Sequence, residues 1–313
     1  MTRVAVTGAG GFVGSNVVRE AADRGATVVG LVRSLPPIPD PRCTYETADL
    51  LDRDATVAAV RKARPDTIVH TAILNDFLRL YADRRLAWEA YVGATRTLAD
   101  AANATGAMLV YVSTDWVFDG LDGGYDETAP PNPVNYYGVL KTASELVALE
   151  RCEATAVARI AGVMGTHRAR RELPRSQDPG FGYFVASVAD TLSRGERFTV
   201  WESDAINMRA TPSLASRSAQ LMLELAERRL TGVFHCCGGE ATTRMELARA
   251  TADVFGLDPS LLERGPPDPA ALPPAPIPRD TSLDARASAA ALGVTLPTVL
   301  ELLGLFRAER AAA

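Results

Sequence analysis

The sequence predicts an α/β fold, a doubly wound parallel sheet with a smaller C-terminal lobe. Three observations carry that expectation. Strand-like and helix-like segments alternate through the first half of the chain, which implies parallel pairing with right-handed crossovers. The strand-like runs at residues 3–6, 27–32 and 108–113 are apolar without polar alternation, as strands buried on both faces are. A glycine cluster, Gly8, Gly10, Gly11 and Gly14, opens the first strand–helix unit.

The elements follow in order. Residues 3–6 read as a strand, and Val13, Val17, Val18 and Ala21 as the apolar stripe of a helix. Residues 27–32 form a second strand, the proline-rich stretch 35–41 a loop, and 44–48 a third strand, with Asp52 placed to cap the next helix. A fourth strand falls at 67–71, a long helix at 84–104 and a fifth strand at 108–113. Pro133 precedes another long helix that runs to about residue 151, and 156–163 reads as a sixth strand. The second half is less regular. Residues 166–180 carry many charges, Gly and Pro, and read as an extended loop. Helices are expected at 181–194, 211–229, 243–255 and 296–310, with Thr243 and Glu246 in capping-box spacing. Residues 232–236 read as a strand that returns to the main sheet, and 266–278 as a proline-rich connector. The expected division is residues 1–165 for the main domain and 166–313 for the second lobe, with 211–236 rejoining the first.

Composition narrows the function classes. The chain has 313 residues, 47% hydrophobic and 23% charged, enough apolar material for a large core. A net charge of −5 and a pI near 5.4 give no electrostatic reason for a nucleic-acid partner. The N-terminal apolar stretch is short and glycine-interrupted, unlike a signal peptide. No apolar run approaches the ~20 residues that span a bilayer, so a membrane partner is not expected and the chain reads as cytoplasmic. Cys43, Cys152, Cys236 and Cys237 form no CxxC pair and read as buried small hydrophobes; no metal site is expected.

The glycine loop reads Thr7-Gly8-Ala9-Gly10-Gly11-Phe12-Val13-Gly14. GxGxxG spacing fails, because its last position would be Val13; GxxGxxG fits, using Gly8, Gly11 and Gly14. Between a first strand and its helix, such a loop lets the backbone approach a dinucleotide pyrophosphate. The helix N-terminus, at Phe12 and Val13, adds free N–H groups and a favourable dipole. The second strand ends Val32-Arg33-Ser34, with no carboxylate to hold the ribose hydroxyls of NAD. Arg33 can pair with a 2′-phosphate, so NADPH is favoured over NADH; the bland alternative is a solvated strand-end arginine.

Asn135-Tyr136-Tyr137-Gly138-Val139-Leu140-Lys141 carries the candidate chemistry. Tyr137 and Lys141 lie four apart on a predicted helix and share a face. Tyr136, five from the lysine, points well away from it. A phenol of pKa near 10 is a poor acid at neutral pH, but a nearby ammonium favours phenolate. So tuned, Tyr137 can protonate a carbonyl oxygen as hydride arrives. YxxxK alone is common on exposed helices; its weight comes from the dinucleotide loop and from Ser113-Thr114 at the end of the fifth strand. Thr114, at the ligand-binding edge, can hydrogen-bond a substrate carbonyl; Ser113 points to the opposite face.

Together these residues resemble the extended short-chain dehydrogenase/reductases, and more closely the dTDP-4-dehydrorhamnose reductase branch. Val112-Ser113-Thr114-Asp115-Trp116-Val117-Phe118-Asp119-Gly120 is similar to that branch's strand-and-turn signature. Tyr125-Asp126-Glu127-Thr128-Ala129-Pro130 through Tyr137-Gly138 resembles its approach to the catalytic helix. Arg209-Ala210-Thr211-Pro212 resembles its substrate-lobe motif, and Arg279-Asp280-Thr281-Ser282-Leu283-Asp284 its C-terminal motif. The resemblance covers nearly the whole chain and implies a Rossmann domain with a substrate-binding lobe. It implies a catalytic trio of Thr114, Tyr137 and Lys141, with Lys141 also binding the nicotinamide ribose. Asp49-Leu50 would border the adenine, Thr71-Ala72 would line the pyrophosphate and ribose path, and Thr114, Asp115, Trp116 and Arg209 would face substrate. Tyr91 stands where these enzymes often place asparagine. His70-Thr71-Ala72 replaces a smaller Ala-rich turn, where His70 reads as a packed strand-end residue. The charged 166–180 loop looks expanded.

The leading functional expectation is an NADPH-dependent reductase of a keto group, at C4, on a nucleotide-activated deoxysugar. Arg168, Arg170, Arg171 and Arg209 can meet a diphosphate, although the first three fit a solvated loop face equally well. Two alternatives stay open: reduction of a non-nucleotide carbonyl in specialised metabolism, and a non-catalytic NADP-binding regulatory subunit. The expected partner is a small molecule, and a homodimer is left open.

Overall fold

A computed structural model gives the fold for residues 2–74, 76–171 and 176–312. The first half runs β1 (Arg3–Thr7), α1 (Phe12–Asp23), β2 (Thr27–Val32), β3 (Cys43–Thr47), α2 (Arg53–Ala63), β4 (Thr67–His70), α3 (Phe77–Ala82), α4 (Arg84–Trp88), α5 (Ala94–Thr105), β5 (Met108–Thr114), α6 (Tyr136–Arg151) and β6 (Thr155–Ile160). The second half runs β7 (Val163–Met164), α7 (Phe184–Ser193), β8 (Phe198–Trp201), β9 (Arg209–Ala210), β10 (Ser213–Leu214), α8 (Ala215–Glu227), β11 (Gly232–His235), β12 (Thr242–Thr243), α9 (Arg244–Phe255), β13 (Leu262–Gly265), α10 (Arg286–Leu292) and α11 (Val299–Ala311).

The predicted doubly wound sheet is present. Seven strands lie in the order β11-β6-β5-β4-β1-β2-β3, and every pair is parallel. The pleat explains the unbroken apolar runs. Val4, Val6, Val28, Met108 and Val110 send their side chains to a cluster with Val17, Val18, Leu221, Met222 and Leu225 of α1 and α8. Ala5, Val29, Leu31, Ile68 and Leu109 face the other way, onto Val60, Leu98, Ala99 and Ala148 of α2, α5 and α6. The central strands β1, β2, β4, β5 and β6 thus bury both faces, and alternation there would have cost unpaired polar groups in one layer or the other. Strand order reverses between β1 and β4, which opens a crevice at the carboxyl edge of the sheet, the usual ligand position in such folds.

A further apolar cluster forms in the second half of the chain, where Phe184, Val188, Phe198, Val200, Leu247, Leu302 and Phe306 pack together. β8 and β13 pair in parallel at its margin; the charged sequence Leu262-Glu263-Arg264-Gly265 did not announce a strand. α9 begins at the expected capping box, with Thr243 and Glu246 bonded reciprocally, and Thr298 and Glu301 repeat the device at α11.

Three elements differ from expectation. The strand expected over 156–163 ends at Ile160, because Gly162 turns the chain at φ +49°, and Val163–Met164 pairs instead with β10. That pairing also delays the helix expected from residue 211 to Ala215. The helix expected over 84–104 is interrupted by a π-helical turn, Glu89–Gly93. Such turns are rare and often sit at functional sites; this one carries Tyr91. Among the described residues no helix is long and apolar enough to cross a membrane. All four cysteines are buried and unpaired.

Candidate active site

The glycine loop leaves β1 at the carboxyl edge. Its tightest point is Gly14, where a Cβ would lie 2.2 Å from the Gly8 carbonyl oxygen. Only glycine lets α1 start this close beneath the loop. Gly11 is the N-cap of α1 and supplies no side-chain cap, in contrast to Asp52 at α2 and Asn135 at α6. The N–H groups at Phe12 and Val13 are therefore available to an anion at a positive helix end. This cradle fits a dinucleotide pyrophosphate. Arg33 is exposed just past the end of β2, and Asp49 and Leu50 follow β3 at the same edge. The Thr71 hydroxyl donates to the Thr7 carbonyl at 2.7 Å, so Thr71 and Ala72 present backbone to the loop. His70 is buried, with Nδ1 2.7 Å from the Thr7 hydroxyl, and burial pushes its pKa down to about 3. It stays neutral and structural at physiological pH.

Three side chains, Thr114, Asp115 and Tyr137, meet at the end of β5, and Lys141 lies behind them against the Tyr111 ring. Thr114 donates to Asp115 Oδ1 at 3.0 Å and accepts from the Trp116 N–H at 3.3 Å. The Tyr137 phenol, on the first turn of α6, lies against the Thr114 hydroxyl. Burial pushes its pKa up, the Thr114 hydrogen bond offsets part of this, and the Asp115 charge adds to the rise. Lys141 is buried one turn along α6. Its Nζ donates to the Val112 carbonyl and sits 4.4 Å from the centre of the Tyr111 ring. Burial pushes Lys141 down to about 7, and the Glu145 carboxylate opposes that fall. The ammonium expected to favour the phenolate is thus engaged by a carbonyl and an aromatic face, and desolvation governs Tyr137.

Helix phase separates the two tyrosines. Tyr136 donates to the Arg84 carbonyl at 2.9 Å on α4 and stacks under the Arg84 guanidinium, away from Lys141. Arg209 is exposed and 3.8 Å from Asp280, so it shares its charge with a carboxylate. Arg168 pairs with Glu309 of α11 at 3.1 Å, whereas Arg170 and Arg171 are exposed. Residues 172–175 of the same charged loop lie outside the described residues.

The profile of the RmlD substrate binding domain matches residues 2–309. The chain belongs to this family. It is an oxidoreductase of the extended short-chain dehydrogenase/reductase type. It shares 31% identity with the β subunit of methionine adenosyltransferase 2 from Bos taurus, over 83% of this chain and 74% of that one. It shares 29% with the probable low-salt glycan biosynthesis reductase Agl14 of Haloferax volcanii, over 97% of this chain and 96% of that one. The crystal structure of a hypothetical dTDP-4-dehydrorhamnose reductase from Sulfolobus tokodaii superimposes with a TM-score of 0.78 at 28% identity, covering 97% of this chain and 99% of that one.

Within this RmlD-family site, sequence reasoning missed two side chains. Phe77, on α3, places its ring 5.5 Å from Tyr137 and 6.2 Å from Trp116. No motif marks it, because α3 is too short to show periodicity. Thr281 donates to Asp115 Oδ2; it lay in a recognised motif, but its contact depends on a fold-back across 166 positions. Tyr91, noted only as a departure, sets its ring edge-on to Tyr137 at 6.0 Å and donates to the Leu74 carbonyl at 3.2 Å. Phe77, Tyr91 and Trp116 together ring the Tyr137 phenol with apolar surface. The Tyr137 ring is half-buried among them.

Proposed function

We propose that this protein reduces a keto group, at C4, of a nucleotide-activated deoxysugar, with NADPH as reductant. Residues 1–165 chiefly hold the cofactor and 166–313 chiefly hold the sugar. The observation that carries the reading is the Tyr137 phenol against the Thr114 hydroxyl, at the sheet edge that also bears the open glycine cradle. Membership of the RmlD family supports the substrate class.

A reduced nicotinamide, when bound, supplies hydride to the carbonyl carbon. The chain's own groups do the rest. The backbone at Gly8, Gly11, Phe12, Val13 and Gly14 would hold the pyrophosphate, Arg33 a 2′-phosphate, and Lys141 the ribose. Thr114 orients the carbonyl and Tyr137 gives its oxygen a proton. Phe77, Tyr91 and Trp116 pack around the Tyr137 ring. The test is NADPH consumption with dTDP-4-dehydrorhamnose as probe, with and without competing dTDP. Reduction that dTDP inhibits supports the reading; reduction indifferent to dTDP shows that the site does not recognise the nucleotide and overturns the substrate class. The methionine adenosyltransferase relative favours one other reading, a binding subunit without turnover. NADPH binding with no consumption on any keto-sugar would establish it.

Arg33 carries the cofactor preference. Hydrogen bonds to charged groups are worth about 1.5–3 kcal/mol, so NADPH should bind roughly 10–100-fold more tightly than NADH. Arg33→Ala should close most of that gap in a binding titration. Equal affinities in the unaltered protein would contradict the assignment.

A further inference from the structure

Hydroxyl groups have one proton and two lone pairs, so the direction of each bond in a row of them can be counted. Asn207 sets the far end of the row that reaches Tyr137. Its Nδ2 donates to the Pro278 carbonyl at 2.9 Å and to Thr281 Oγ1 at 2.9 Å. Thr281, accepting there, gives its own proton to Asp115 Oδ2. Asp115 Oδ1 faces the Thr114 hydroxyl at 3.0 Å, and the Trp116 N–H donates to that same threonine oxygen at 3.3 Å. Asp115 is 4% exposed. The titratable groups that face it are Tyr137 on α6 and Cys237 just beyond β11. The backbone N–H groups of Asp115 and Trp116 also point at its carboxyl.

The two charge states of Asp115 give the row opposite directions. As a carboxylate, Oδ1 can only accept, so Thr114 turns its proton inward. The lone pair that Thr114 has left can then only accept from the Tyr137 phenol, and the phenolic proton points away from substrate. As an acid, Asp115 carries its proton on Oδ1, because Oδ2 already receives the proton of Thr281. Thr114 now accepts from Asp115 and from Trp116, and its own proton turns outward. The phenolic proton is freed to face a carbonyl oxygen.

We infer that Asp115 in its acid form is a positioning residue that sets the direction of this row and stores the proton behind Tyr137. The inference rests on ketone reduction at Tyr137. The carbonyl carbon gains hydride, its oxygen takes the phenolic proton, and the product O–H forms as the phenol O–H breaks. The phenolate takes the proton of Thr114, and Thr114 takes the acid proton of Asp115, which ends as a carboxylate. One proton from solvent restores it. Burial favours the acid by pushing Asp115 up to about 6, against the pull of the Thr281 and Thr114 donors. The acid form therefore holds below about 6 and is lost as pH rises through that value.

The first arm of the test needs no substrate. Infrared difference spectra across a pH series should show a carboxylic-acid C=O band that vanishes as pH rises through about 6. The band should be missing in Asp115→Asn. It should persist to higher pH in Thr281→Val, which loses a donor that favours the carboxylate. A band unaffected by Asp115→Asn, or no movement in Thr281→Val, would overturn the inference. In the second arm, NADPH-dependent reduction of dTDP-4-dehydrorhamnose should lose kcat/KM about tenfold per pH unit above the ionisation. Asp115→Asn, whose amide donates to Thr114 at every pH, should be slower but lack that limb. The same limb in both proteins sinks the inference and leaves the proposed function standing. No reduction at all sinks the proposed function, and the spectra still decide the state of Asp115.

Discussion

Tyr137→Phe should lower carbonyl reduction by about 10²–10⁴-fold, the usual worth of a general acid. The substitution removes one oxygen and keeps the ring that packs against Phe77, Tyr91 and Trp116. Fold and NADPH affinity should therefore change little, and the loss should appear in kcat. Tyr136→Phe is the neighbouring control. Its hydroxyl bonds the Arg84 carbonyl on α4, outside the cage, so its loss should leave turnover nearly unchanged. Lys141→Ala should be at least as damaging as Tyr137→Phe and should also weaken NADPH binding. A dead Tyr136→Phe beside an active Tyr137→Phe would reverse the assignment of the acid.

The largest expected effect on stability lies one turn further along α6. Glu145 and Arg159 are both almost fully buried, and the guanidinium meets both carboxylate oxygens, at 3.0 and 2.7 Å. Removing one member of such a pair strands a charge in the core and costs about 3–5 kcal/mol. Glu145→Ala should lose that much in denaturant unfolding. Replacing both by methionine should recover most of it, because the attraction of a buried pair barely repays its desolvation. Glu145 also supports the charge on Lys141. Without it the Lys141 pKa should fall below about 7, so the ammonium is lost at lower pH than in the unaltered protein. A double variant no more stable than Glu145→Ala would show that the pair is not the source of the loss.

Much of the fold was legible because its strands bury both faces. The run Thr27–Val32 declares a strand by apolarity alone, and it occupies those residues in the structure. The alternation of strands with helices implied the parallel order that the sheet adopts. Local chemistry was readable too, as the capping box at Thr243 shows. The meeting of Thr114 and Tyr137 could be anticipated, since a strand end and a helix face each have a fixed direction. Contacts that depend on distant segments were not readable. Thr281 reaches Asp115, and Arg244 holds the Asp178 and Asn207 carbonyls, only once the C-terminal half has folded back. The π turn at Tyr91 was also hidden, because the phase shift it causes falls in an alanine-rich helix whose apolar stripe is weakly marked. The direction of the Tyr137 shift was misjudged from spacing alone. Four residues on a helix place Lys141 on the same face, but the Val112 carbonyl and the Tyr111 ring decide where its ammonium sits.

The central claim is that this chain transfers hydride to a carbonyl and that Tyr137 supplies the proton. The most direct test is to offer NADPH deuterated at both nicotinamide C4 positions, with dTDP-4-dehydrorhamnose, to the unaltered protein and to Tyr137→Phe, and to weigh the sugar product. The account predicts one deuterium on carbon in the product of the unaltered protein, and at least a hundredfold less product from Tyr137→Phe. Unlabelled product, or equal labelled product from both proteins, would contradict it.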